Sequence, residues 1–177
     1  MDDRRVRVVA SAGLAVGAVL GMAGTFAPSP SLRGLAWGID GVALVMASAL
    51  LTIWFFRKGQ DLAATGFLVF VVGQGIIVSS AAMDLAASTP SFGAGASLWA
   101  LALALISASA VFPSVVRGLG FLAAVLFTVT ALQIFAGAQV TPTTSPLPFH
   151  AYPVLVATMV GWIWALLSGT RPRGDAR

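Results

Sequence analysis

Apolar residues run through this chain in six long blocks. Each is long enough to cross a bilayer as a helix at about 1.5 Å per residue. The blocks fall at residues 6–26, 35–56, 62–83, 95–112, 118–137 and 149–167, separated by short breaks of proline, glycine and charge. Their apolar runs are continuous, so they predict helices rather than the alternating strands of a membrane barrel. Block four alternates locally at Leu101-Ala102-Leu103-Ala104-Leu105, but its length and flanks still predict a spanning helix. The expected fold is all-α: one six-helix transmembrane bundle over residues 1–170, followed by a polar cytoplasmic tail over 171–177.

Small residues within the blocks predict where helices meet. Gly13, Gly17 and Gly21 recur at i, i+4, i+8, and Gly66, Gly73 and Ser80 at i, i+7, i+14. Such faces let two membrane helices approach closely, and they also offer themselves to a second copy or to other membrane proteins. Pro28-Ser29-Pro30-Ser31 reads as a short turn, residues 85–94 as a loop containing Pro90, and residues 138–148 as an uncharged loop. A cleaved signal peptide is the rival reading of block one, because Thr25-Phe26-Ala27 loosely resembles a cleavage site. The block is too long for that and Pro28 follows directly, so a retained helix is expected.

One full charge interrupts block two. Asp40 lies roughly five residues below one end of a span, where a carboxylate costs a few kcal/mol or more and faces protein or water rather than lipid. Ala36, Ala43 and Ala47 share its side of the helix. Ser79, Ser80 and Gln133 fall at a similar depth, Asp84 and His150 at the rim, and Gln74 deeper. Polar groups thus concentrate in one half of the bundle. Asp40, Gln74, Ser79, Ser80, Asp84, Gln133 and His150 form the candidate ligand or proton site, with Asp40 at its centre. Interhelical hydrogen bonding is the plain alternative for both glutamines.

Composition narrows the function classes. Of 177 residues, 58% are hydrophobic and 9% charged, against about a quarter charged in a soluble domain. The lipid bilayer is therefore the expected surrounding. The absence of cysteine removes disulfides, thiolate nucleophiles and cysteine-held metals. A single histidine is a poor metal set, and no metal, cofactor or catalytic residue is expected. There is no phosphate-binding glycine loop, no HExxH and no GxSxG, so nothing calls for an enzyme. The net charge of +4 sits at block ends and reads as topology, not nucleic-acid binding. The abundance of arginine, alanine, glycine and valine suggests a GC-rich bacterial source.

Three stretches carry a resemblance: AWGIDGVALVMASALLTIWFFRKGQDLAATGFLVFVVGQG, PSFGAGASLWALAL and LPFHAYPVLVATMVGWIWALL. Together they resemble an uncharacterised group of small bacterial multi-pass membrane proteins, over most of the chain from Leu35 onward. The resemblance implies a multi-pass helical fold and brings no activity, cofactor or site residue with it. Two readings of function lead, and a third, an enzyme acting on a lipid or quinone at the outer interface, is kept behind them. One is an integral protein that binds or passes a small solute or proton through an outward-facing polar pocket around Asp40. The other is a structural or accessory subunit that packs against other membrane proteins.

Orientation follows from the basic residues. Six passes put Arg4, Arg5, Arg7, Arg57, Lys58, Arg117 and the tail on one side, and Arg33 alone on the other. That bias predicts both termini in the cytoplasm and the protein in a bacterial inner membrane. A cytoplasm-only reporter fused after Arg177 should be active, as should a periplasm-only reporter inserted at Thr143. A C-terminal fusion active only in the periplasm would mean that one pass is miscounted.

Overall fold

A computed structural model describes residues 2–81 and 84–168. The expected end of block three at Met83 and the tail over 171–177 lie outside the described residues, as does the side chain of Ser80. Among the described residues there are six helices and no strand: α1 (Asp3–Thr25), α2 (Pro30–Arg57), α3 (Asp61–Ala81), α4 (Thr89–Ala108), α5 (Ser114–Phe135) and α6 (Ala151–Ser168). All six are long and apolar enough to cross a membrane.

Local chemistry sets the ends. Asp2 caps α1 by accepting from the Arg4 amide, and Ser29 caps α2 by accepting from the Leu32 amide at 3.3 Å. Capped by Ser29, α2 takes in Pro30 and Ser31, which the sequence reads as turn. Proline at a first turn loses no hydrogen bond, because that amide has no intrahelical partner. The same holds for Pro90, so α4 begins at Thr89 rather than near Gly95. It also ends earlier, at Ala108, because Ser109 turns extended. Phe112 therefore belongs to the connection before α5 and not to a helix. At the end of α2, Gly59 takes φ +67°. Its amide bonds the Phe56 carbonyl and the Gln60 amide bonds the Phe55 carbonyl, the paired closure that a left-handed glycine permits.

Each helix packs against its neighbours in sequence, and α6 returns to α1, so the six form a closed ring. Helix α6 is held least tightly. At the end carrying the chain termini, Arg7 donates to the Leu166 carbonyl at 3.2 Å, and Lys58 pairs with Asp3. The opposite, loop end is formed by residues 26–29, 84–88 and 136–150. There Phe26 meets Phe149 edge-on at 5.5 Å.

The glycine stripes lie inside these interfaces. Gly17 faces Leu44 and Asp40 of α2, and Gly21 faces the Asp40 carboxyl. Gly73 and Gly95 bring the backbones of α3 and α4 together. In lipid there is no hydrophobic drive between apolar helices, so close packing holds them.

Aromatic side chains fill the ring axis at the terminal end and the middle. Phe55 stacks on Phe67 at 5.5 Å, Phe67 meets Trp162 at 5.2 Å, and Phe112 closes on both Phe55 and Trp162. Above them Phe70 stacks on Trp99 at 5.6 Å, and Trp99 meets Phe127 at 5.2 Å.

A Cβ at Gly17 would lie 2.3 Å from Leu44. Gly17→Leu is expected to lower stability in detergent by about 1–3 kcal/mol, the usual cost of overpacking. Gly75→Leu is the control, since nothing lies within 4 Å of that position. Equal melting of the two variants would contradict the interface.

Candidate functional site

Above the aromatic fill the ring axis is not filled. A cavity opens there between α1, α2, α3, α4 and α6, reaching Leu85 and Pro142 of the loops. It leaves about 60 Å³ for the centres of water-sized molecules. Trp99 forms part of its floor, and its walls are mostly apolar, with Leu44, Val78, Leu155 and Met159 among them.

Asp40 reaches this cavity because α2 turns it toward α1. The missing side chains of Gly17 and Gly21 make room for the carboxyl. It is 8% exposed. From α3, Gln74, 1% exposed, turns its amide toward the same carboxyl in donor position. Both residues line the cavity. Asp40 Oδ1 and Gln74 Oε1 have no hydrogen-bond partner, and neither does the Trp99 indole nitrogen. Tyr152, at the start of α6, also lines the cavity.

Among the described residues no lysine or arginine lines it. The nearest basic candidate in sequence, Arg33, is committed elsewhere: it donates to the Ala27 carbonyl and lies over the Trp37 ring, 5.9 Å from its centre. Trp37 in turn donates to the Gly21 carbonyl at 3.2 Å, which fixes the rim between α1 and α2.

The structure therefore brings together two of the seven candidate positions, Asp40 and Gln74. Ser79 is exposed and donates to the Ile76 carbonyl of its own helix. Asp84 is exposed and accepts from the Ala86 and Ala87 amides, opening the turn before α4. Gln133 points out of the ring, because the inward side of α5 is taken by Phe127, Thr130 and Ala131. His150 is exposed, with its ring against Phe149. Gln133 and Ser79, the partners foreseen for Asp40 by depth, are thus on the wrong helical face, and Gln74 takes their place. Trp37, Trp99 and Tyr152 complete the site. Their sequence signal was only that of aromatic residues near helix ends or mid-span, which most often means interface or core.

Among the described residues no cluster of histidine, aspartate and glutamate could hold a metal ion. No protein family, curated protein or solved structure matches the chain.

A buried polar atom without a partner costs about 1–3 kcal/mol. If Asp40 serves a ligand rather than the packing, Asp40→Leu removes that cost at similar volume. The empty variant should then melt at or above wild type. A fall of several degrees would make Asp40 a packing residue.

Proposed function

We propose that this protein is a bacterial inner-membrane protein that binds a small solute in the cavity around Asp40, with the loop end facing the periplasm and both termini in the cytoplasm. The observation that carries this reading is one carboxyl, Asp40, and one amide, Gln74, lining an otherwise mostly apolar cavity inside the ring. Buried polar groups are normally satisfied. An apolar pocket with a few convergent polar groups is the usual form of a small-molecule site. The positive charge at the terminal end supports the orientation. Passage of a solute or proton would need the aromatic fill below the cavity to move. Binding is therefore the primary activity and transport the secondary one.

An accessory role has its own support. On the outward side of α2, Gly34 and Gly38 have nothing within 4 Å, with exposed Leu35, Ile39 and Val42 beside them. That spacing suits a helix from another membrane protein.

The cysteine-free chain permits a direct test. Asp40→Cys should react with a small membrane-impermeant methanethiosulfonate added from the periplasmic side, and Phe67→Cys, fully buried in the aromatic fill, should not. An Asp40→Cys that stays unreactive from both sides would remove the pocket and leave the accessory reading.

A further inference from the structure

The cavity is not neutral in what it asks of a ligand. Its lining holds one carboxyl, Asp40 of α2, with the Gln74 amide of α3 turned toward it. The Trp99 indole and the Tyr152 hydroxyl also belong to the lining. Among the described residues no lysine or arginine lines the cavity, and Arg33 donates to the Ala27 carbonyl and lies over the Trp37 ring. A carboxylate held inside a protein needs a counter-charge or it is strongly disfavoured. Among the described residues none lines this site.

A calcium or magnesium ion does not fit. Calcium takes six to eight oxygen ligands and magnesium about six, whereas the site offers one carboxyl and one amide among apolar walls. The walls instead suit a ligand with an apolar body: Leu44, Val78, Leu155 and Met159 surround the space, and Trp99 and Tyr152 add ring surface, which favours cations.

Resting on the reading that the cavity is a solute site, we infer that its ligand is an alkylammonium ion. Its N–H groups donate to the Asp40 carboxyl beside the Gln74 amide, and its alkyl part lies against the apolar walls. Charge-assisted hydrogen bonds of this kind are about twice as strong as neutral ones, so charge is what separates such a ligand from an alcohol of the same shape.

The test compares 3,3-dimethylbutylamine, protonated at pH 7, with 3,3-dimethylbutan-1-ol, using calorimetric titration of the purified full chain in non-ionic detergent. The amine should bind about tenfold more tightly or better, the ratio expected when a neutral hydrogen bond is replaced by a charged one. Asp40→Asn should abolish that preference and leave the alcohol unaffected. Asp84→Asn, which alters an exposed carboxylate at the same end, should retain it. Gln74→Leu keeps the charge and should weaken the amine several-fold, which covers the case of an Asp40 variant that fails to fold. Equal binding of amine and alcohol, a preference that survives Asp40→Asn, or no binding of the amine would each overturn the inference. Labelling of Asp40→Cys in any of those cases would leave the solute pocket standing without this ligand.

Discussion

Six helices whose backbones approach only their ring neighbours enclose an axis, and something must occupy it. Smaller bundles close that space with side chains of ordinary length. Here the lower part is closed by the largest side chains in the chain, drawn from five of the helices and from the connection at Phe112. Each ring contact adds about 0.5–1.5 kcal/mol beyond the surface it buries. The upper part is left open, and Asp40 and Gln74 line it. Fill and cavity are two answers to one geometric problem, and the boundary between them falls at Trp99, which touches both.

Close approach on one side of the ring makes the carboxyl tolerable. Gly17 and Gly21 let α1 lie against α2 with Asp40 between them. A side chain at either position would fill the space the carboxyl now occupies. The polar group is thus held off the lipid by the same small residues that hold the two helices together. Packing and site share residues, and neither can be altered alone on α1.

The six helices were legible because a membrane imposes length and continuity on every span. The inward placement of Asp40 was legible for a related reason, since charge avoids hydrocarbon. Which aromatic rings face the axis was not legible. Phe55 is 4% exposed and Phe56, its neighbour, 68%; Trp162 is buried and Trp164 exposed. Lipid and protein interior are equally apolar, so hydrophobicity cannot tell the two sides of a membrane helix apart. Depth placed Gln133 and Ser79 near Asp40, but depth fixes only one coordinate. The rotation of α5 and of the end of α3 is set by packing, and packing turned both residues outward. Gln74 was in the candidate set yet read as a partner between helices, because nothing in a single sequence marks an amide oxygen that is left without a donor.

Helix α6 is the stave most loosely joined to the ring. It also carries Trp162, which closes the lower axis, and Tyr152, Leu155 and Met159, which wall the cavity. These four side chains ride on one rigid rod. Any tilt or slide of α6 moves the seal and the pocket wall together, and anything that grips the wall also steadies the seal. Pocket wall and seal are thereby one mechanical unit, and the weakest joint of the ring is where both can be shifted together.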